Sequence, residues 1–226
     1  MVAFINNNVA VVLDERRDGV VFFINQALVG GNVDNATRLS FTPAYTANGY
    51  TFSTNGDYNL NIFGIRTNDP VSNAFNDVVG VLFKVDGEWV LKKYDATTDP
   101  GIYWRNNLMN VNGTAILQPG FYKGAFRIGM HQGKYEALVQ NVPFKFWRDK
   151  NKDDTLDMEG ETYTEVAGVN LHHAGAASTQ VDKWSAGCQV IANLDNFNEL
   201  MSIVHKSQAG NTFSYALFTE QQFFDK

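Results

Sequence analysis

Two runs of β-forming residues joined by Asp86-Gly87 constrain the fold of this chain more than any other feature. Residues 78–85 and 88–94 are rich in valine, leucine and aromatic side chains, which favour extended strands. Asp-Gly suits the two-residue turn in which both central residues have a positive φ. The pattern predicts a β-hairpin, and a hairpin needs further strands or a covering layer to be stable.

Further short apolar runs separated by turn residues predict more strands. These runs cover residues 9–13, 19–24, 59–65, 114–117, 121–128, 137–140, 142–147, 166–173 and 213–218. Residues 194–205 differ, because their apolar side chains recur at intervals of three and four, which is typical of an amphipathic helix. We therefore expect a mainly β fold, a sandwich or mixed sheets, with one or two short helices.

The domain organisation is open at the N-terminal end. Residues 1–55 are interpreted either as a β extension of the main domain or as a small module of their own, and residues 56–226 as the main domain. The sequence of 226 residues is long enough for either arrangement.

Charge and hydropathy exclude several classes of partner. The formal net charge is −6 and no run of lysine or arginine is present, so we expect no nucleic-acid partner. No stretch approaches the roughly 20 apolar residues of a membrane span. Residues 1–8 have neither the basic segment nor the apolar core of a signal peptide, so we expect none.

Cys188 is the only cysteine of the chain, which excludes an internal disulfide and a zinc site with several thiolates. It is then either an inert core residue or a nucleophile, and a nucleophile requires a base within hydrogen-bond reach. His172 and His173 precede it on a predicted strand, where neighbouring side chains face opposite ways. One of the two histidines is therefore expected to face a cleft. Gly187, beside the thiol, leaves room for a substrate.

The order of these residues resembles a known family. Leu171-His172, a spacer, and then Ser185-Ala186-Gly187-Cys188 resemble the L,D-transpeptidase (YkuD-like) catalytic domain, in which a histidine and a spacer precede Ser/Thr-His-Gly-Cys. The segment Gln118-Pro119-Gly120-Phe121-Tyr122 is similar to the family's approach to the active site. The resemblance covers about residues 58–220 and points to a divergent branch of the type carried by phages and particles.

The resemblance implies a fold, a reaction and roles for residues. Cys188 would attack a carbonyl of a peptidoglycan stem peptide and form an acyl-enzyme, with His172 as the base. The ring of His173 or a nearby carbonyl would orient His172, and the N–H groups of Gly187 and Cys188 would stabilise the oxyanion. The residues predicted to contact the substrate are His131, Trp184, Ser185 and Gly187. No cofactor is required for this chemistry.

Structural alternatives stand beside these roles. His173 suits a packing role as well as a catalytic one, His131 either caps a strand or lines the cleft, and Trp184 either packs a loop or contacts substrate.

The chain departs from the family pattern at three points. Ala186 replaces the second histidine, Val190 stands where an arginine is usual, and only 12 residues separate His172 from Ser185. These departures leave transpeptidation and hydrolysis both open.

A second candidate site follows the predicted strand 142–147. Asp149, Asn151, Asp153 and Asp157 place oxygen ligands at positions 1, 3, 5 and 9 of a calcium loop. Position 6 is Asp154 instead of glycine, and position 12 is Gly160 instead of glutamate. The segment is interpreted either as a calcium site or as a solvated polar loop.

Two classes of function follow from the sequence. The first is a cysteine-dependent enzyme that modifies peptidoglycan stem peptides. The second is a component of a phage or contractile injection particle that binds the cell wall without turnover, a hypothesis motivated by the N-terminal region and the lost motif residues. Without a signal peptide, either would reach the wall through lysis, within a particle or by a non-Sec route.

Overall fold

The structure, a computed structural model, describes residues 2–5, 9–12, 21–24, 37–69, 73–176 and 178–224. The prediction of a mainly β fold with mixed strand directions and few, short helices is confirmed. The strands are β1 (Val2–Ile5), β2 (Val9–Val12), β3 (Val21–Ile24), β4 (Thr37–Ser40), β5 (Asn61–Arg66), β6 (Asp77–Val85), β7 (Glu88–Thr97), β8 (Thr114–Leu117), β9 (Gly120–His131), β10 (Tyr135–Gln140), β11 (Phe144–Asp149), β12 (Tyr163–Glu165), β13 (Leu171–His173), β14 (Gln189–Ile191) and β15 (Phe213–Thr219). The helices of the described residues are α1 (Phe41–Ala47), α2 (Ile102–Asn106), α3 (Leu194–His205) and α4 (Glu220–Phe224).

The predicted hairpin forms β6 and β7. Their antiparallel register runs from Asp77 opposite Ala96 to Val85 opposite Glu88. Asp86 and Gly87 connect them with φ values of 52° and 80°. Both angles are positive, as the two-residue turn requires, and glycine adopts such an angle without strain.

The main sheet is mixed, as the sequence predicts, and it closes into an eight-stranded barrel with the order β10-β13-β14-β7-β6-β5-β15-β9, a closure that was not predicted. Two of its pairings are parallel, β13 with β14 and β15 with β5. Closure depends on which distant strands pair, and the apolar pattern within one strand does not encode that. A separate sheet of order β12-β11-β8 contains the strands on either side of the predicted calcium loop.

Helix α3 packs against the barrel and spans the predicted residues. Its buried residues are Phe197, Leu200, Met201, Ile203 and Val204. Asn193 caps its N-terminus, because the side-chain oxygen accepts hydrogen bonds from the N–H groups of Asp195 and Asn196. The other helices have five to seven residues, too few to display a periodic apolar face, and so were not predicted.

Aromatic packing joins α1 to the barrel. Tyr45 lies 5.1 Å from the ring of Phe52, which stacks on Trp89 of β7 at 5.7 Å. Phe41 contacts Phe63 of β5 edge to face. These contacts cross the predicted domain boundary near residue 55. Before α1, strands β1 to β4 pair in chain order as an antiparallel sheet. Strands β2 and β3 lie within the predicted strands 9–13 and 19–24, of which residues 13, 19 and 20 are outside the described residues.

The strands predicted from the sequence differ from those of the structure in two places. Of the predicted strand 166–173, only β13 is regular, because Gly168 has a φ of 76° that interrupts the extended backbone. The short strand β12 was not predicted, since Tyr-Thr-Glu carries no apolar pattern. In the described part of the chain, no helix is long and apolar enough to cross a membrane.

Candidate active site

One cavity of about 650 Å³ brings together several residues that the sequence singled out. Cys188, His172, His131 and Trp184 all line it. The volume is within the range of sites that enclose small organic ligands. The lining also includes residues that the sequence did not indicate: Trp104, Met109, Arg148, Glu165, Asn170 and Lys183.

The parallel pairing of β13 with β14 places the thiol beside the histidine. Leu171 pairs with Gln189 and His172 with Val190, and the N–H of Gln189 donates to the carbonyl of Asn170 at 2.8 Å. Cys188 immediately precedes β14 and is therefore level with Asn170. It lies two residues before Val190, the partner of His172, and so is a diagonal neighbour of His172. Residues that are diagonal neighbours in a sheet lie about 7–8 Å apart, a distance that a histidine side chain can span.

The backbone holds the Cys188 sulfur. The N–H of Asn170 donates to Sγ at 3.4 Å, and the thiol donates to the carbonyl of Gly168 at 3.5 Å. Among the described residues no direct hydrogen bond joins Sγ to His172. Burial raises the pKa of Cys188 to about 11, although the hydrogen bond from Asn170 opposes the shift. The sulfur is therefore a thiol at neutral pH.

His172 is oriented as a proton acceptor. It is only 3% exposed, and its Nδ1 lies 2.9 Å from the carbonyl oxygen of His173 and 3.2 Å from the hydroxyl of Tyr135. A carbonyl only accepts, so Nδ1 carries the proton and Nε2 keeps its lone pair. Burial, together with the nearby His131, lowers the pKa of His172 to about 3. The resting site thus pairs a thiol with a neutral imidazole.

The ring of His173 lies away from the cavity. It packs between Tyr135 at 4.4 Å and Phe197 at 5.1 Å, measured between ring centroids. Of the two orienting groups that the sequence left open, it is the carbonyl of His173 that contacts His172. The alternation of side chains along a strand explains why only one histidine of the pair lines the cavity.

His131, at the end of β9, stacks on His172. The ring centroids are 4.1 Å apart and the planes differ by 25°. Nδ1 of His131 lies 3.0 Å from Nδ2 of Asn170. Asn170 was missed by the sequence analysis, although it stands two residues before His172 and so shares a face with it in an extended segment.

Ser185 and Gly187 shape the loop instead of lining the cavity. Ser185 is completely buried, and its Oγ accepts from the N–H of Gly187 at 3.1 Å and donates to the carbonyl of Cys188 at 2.8 Å. Gly187 has a φ of 120°, and a Cβ there would lie 2.7 Å from the carbonyl oxygen of Ala115. Gly187 is therefore required by the approach of β8, which the sequence did not indicate.

A single asparagine anchors the loop that leads to Cys188. Oδ1 of Asn73 accepts from the N–H groups of Asp182 and Ile102 at 2.8 and 3.1 Å, and its Nδ2 donates to Asp182 Oδ1 at 2.7 Å. The N–H of Gly101 donates to the carbonyl of Ser185 at 2.9 Å. Trp184 is 42% exposed at the cavity, where a ligand can reach its ring.

The predicted calcium ligands have protein partners. Nδ2 of Asn151 donates to Asp153 at 2.9 Å and to Asp157 at 3.2 Å. Asp149 is completely buried, with its carboxylate 3.4 Å from Nε of Arg105, so a guanidinium already supplies positive charge there. Across the described residues, no group of three or more His, Cys, Asp or Glu side chains is arranged to hold a metal ion. The calcium site stays a prediction.

Comparison of the chain with protein-family models, curated proteins and solved structures gives no match. The function is therefore inferred from the residues and geometry of the site.

Proposed function

We propose that the protein is a cysteine-dependent enzyme that modifies peptidoglycan stem peptides, as an L,D-transpeptidase or an L,D-carboxypeptidase. The observation that supports this proposal best is that His172 on β13 and Cys188, immediately before the parallel strand β14, line one cavity. The hydrogen bond from His172 Nδ1 to the His173 carbonyl leaves Nε2 free to take a proton. Nucleophile, base and the group that orients the base are then all present.

The reaction begins from the neutral pair. As Sγ of Cys188 forms a bond to the substrate carbonyl carbon, the thiol proton passes to Nε2 of His172. The C–N bond then breaks, and the imidazolium returns this proton to the leaving amine, which leaves a thioester on Cys188. An acceptor amine or water attacks the thioester carbonyl carbon and loses a proton to Nε2 of His172. The C–S bond then breaks, and the imidazolium returns this proton to Sγ, which restores the thiol and the neutral imidazole. An amine yields transpeptidation or exchange, and water yields hydrolysis.

The polar lining suits a zwitterionic peptide. Lys183 and Arg148 line the cavity, and Arg148 pairs with Glu165 at 2.7 Å. Nζ of Lys183 lies 4.3 Å from the ring centroid of Tyr103, and among the described residues it forms no ion pair with a carboxylate. We infer that Lys183 supplies the cation for a substrate carboxylate, since Val190 replaces the arginine that is usual two residues after the cysteine. Cations and carboxylates in a partly enclosed cavity interact more strongly than in water.

A second candidate function is binding to the cell wall without turnover, as part of a phage or contractile injection particle. The observation that favours it is the neutral state of the thiol, because burial raises the pKa of Cys188 to about 11. In this function a stem peptide would occupy the cavity without forming a covalent bond to Cys188.

Product analysis separates the two. Wild type, Cys188→Ala and His205→Ala are incubated with muropeptides, and the products are identified by mass spectrometry. His205 is half exposed and pairs with Glu136, so His205→Ala is a control for loss of a histidine outside the cavity. The enzyme hypothesis predicts new products for wild type and His205→Ala and none for Cys188→Ala. Identical profiles for all three, together with unchanged binding to purified sacculi, would support the binding function instead.

A further inference from the structure

The loop before Cys188 provides fewer oxyanion donors than its sequence suggests. The negative charge that develops on a reacting carbonyl oxygen is normally stabilised by two or more fixed N–H groups. The N–H of Gly187 is already donated to Ser185 Oγ at 3.1 Å. Of the two backbone groups expected for this purpose, this leaves only the N–H of Cys188. A second donor has to come from elsewhere in the cavity.

The side chain of Asn170 fixes the protonation of His131. Oδ1 of Asn170 accepts a hydrogen bond from the N–H of Gln140 at 2.9 Å, so the amide cannot be reversed without losing that bond. Its Nδ2 therefore faces Nδ1 of His131, at 3.0 Å. Because an amide nitrogen only donates, Nδ1 of His131 is the acceptor, and the proton of the neutral ring is on Nε2.

The two stacked imidazoles thus have opposite tautomers. His172 carries its proton on Nδ1 and keeps a lone pair on Nε2, whereas His131 carries its proton on Nε2. The rings are 4.1 Å apart and both line the cavity with Cys188. One ring is built to accept a proton and the other to donate a hydrogen bond, which is the pairing that acyl transfer needs.

We propose that Nε2–H of His131 donates a hydrogen bond to the reacting carbonyl oxygen of the substrate, and that Asn170 is the positioning residue that holds His131 in this tautomer. The proposal rests on the proposed function, since it concerns the acyl substrate of Cys188. The sequence suggested that His131 contacts the substrate. The proposal specifies the atom that makes this contact, Nε2, and the substrate atom that accepts it, the carbonyl oxygen.

Burial and the neighbouring charges favour the neutral form of His131. Burial lowers the pKa of His131, and the neighbouring His173 and Lys134 lower it further. His172 and Tyr135 are the other titratable groups in contact with its ring. A neutral donor does not compete with His172 for the thiol proton, because its Nδ1 lone pair is already engaged by Asn170.

The tautomers can be measured without any substrate. In the full chain labelled with ¹⁵N-histidine, the expected NMR result is a protonated Nε2 for His131 and a protonated Nδ1 for His172 between pH 6 and 8. In Asn170→Asp the carboxylate still accepts from Gln140 but no longer donates, so the proton of His131 should move to Nδ1. A protonated Nδ1 of His131 in the wild type overturns the proposal.

Kinetics on tetrapeptide muropeptides test the role of the donor. His131→Gln keeps an N–H donor, whereas His131→Phe keeps an aromatic ring against His172 without one. We expect kcat of His131→Phe to fall by about 10²–10³-fold and that of His131→Gln by less than about tenfold, with little change in KM. Asn170→Asp should lose kcat as His131→Phe does, and His205→Gln should match wild type. Melting temperatures identify any variant that fails to fold.

The outcomes separate the two proposals. Equal kcat for folded His131→Phe and His131→Gln overturns the role of His131 while the activity of Cys188 stands. A wild type that gives the expected NMR result but no products, as Cys188→Ala does, overturns the enzymatic function and with it the donor role of His131.

Discussion

The hydroxyl of Tyr215 donates a 2.9 Å hydrogen bond to Oε1 of Gln189, in the barrel interior and next to Cys188 in the chain. The same Gln189 donates from Nε2 to the carbonyl of Thr98 at 3.4 Å. Gly64 on β5 makes room for the hydroxyl, since a Cβ there would lie 2.0 Å from the Tyr215 oxygen. Strands β15, β14 and β5 thus meet at one buried polar contact beneath the candidate site.

Removal of this hydroxyl should destabilise the fold. Tyr215→Phe leaves the buried Oε1 of Gln189 without its donor, and an unsatisfied buried group costs about 1–3 kcal/mol. Urea unfolding gives the change in the free energy of unfolding. Tyr58→Phe is the matched control, because within the described residues the Tyr58 hydroxyl has no hydrogen bond, and its loss should change stability by less than about 0.5 kcal/mol. Equal effects would contradict the importance of the Tyr215 contact.

The Cys188 thiol should react slowly in the ligand-free protein. With a pKa of about 11, its thiolate fraction at pH 7 is on the order of a hundredfold below that of an ordinary cysteine. Iodoacetamide labelling followed by mass spectrometry should therefore be slow at pH 7 and rise about tenfold per pH unit up to pH 10. His172→Ala should label at nearly the wild-type rate. Rapid labelling that is already constant below pH 8 would instead indicate a thiolate–imidazolium pair.

Stability should fall in mild acid because of His172. Its pKa is about 3 in the folded protein, against the ordinary histidine value of 6.5, so the unfolded chain binds the proton more tightly. The stabilisation is complete above pH 6.5 and is lost as the pH falls from there towards 3. The slope is up to about 1.4 kcal/mol per pH unit for one such group. Urea unfolding between pH 7 and 5 should show that the free energy of unfolding depends less steeply on pH in His172→Gln than in the wild type. An identical pH dependence in the two proteins would show that His172 is not the cause.

The calcium prediction has a direct test. We expect millimolar calcium to raise the melting temperature, EDTA to reverse the rise, and Asp157→Asn to abolish it. Binding requires Asn151 to exchange its contacts with Asp153 and Asp157 for the ion, so affinity should be in the weak, millimolar range of extracellular modules. Asp86→Asn, in the hairpin turn, is the control for loss of an exposed carboxylate. A melting temperature that is the same with calcium and with EDTA would show that the segment is a solvated loop.

Local patterns in the sequence were sufficient for several elements. The Asp86-Gly87 turn and the apolar spacing of residues 194–205 predicted β6, β7 and α3, because the information for a turn or a helix face lies within a few residues. The order of His172 and Cys188 indicated which two side chains share a cavity. The predicted roles of these residues are still to be tested.

The remainder of the site depends on contacts between distant segments. Asn73 anchors Asp182 across 109 positions, and Gln140 orients Asn170 across 30; neither partner carries a local signal. Ser185 and Gly187 were predicted to contact substrate because they are close to Cys188 in the chain. Instead, Gly187 packs against Ala115, and the hydroxyl of buried Ser185 donates to the carbonyl of Cys188. Closure of the barrel likewise follows from strand pairings that no single segment encodes.

Because β13 pairs directly with β14, the relative position of His172 and Cys188 does not depend on the length of the connection between the two strands. The register of Leu171 with Gln189 fixes the offset between His172 and Cys188. The connection makes an isolated antiparallel bridge, between Gln180 and Ala74, which lies in the segment between β5 and β6. Residues inserted between Ala174 and Gln180 would therefore lengthen the connection, of which Lys183, Trp184 and Ala186 line the cavity, without changing the offset between His172 and Cys188. Changes in the connection can therefore alter which ligands fit the cavity while His172 and Cys188 keep their relative positions.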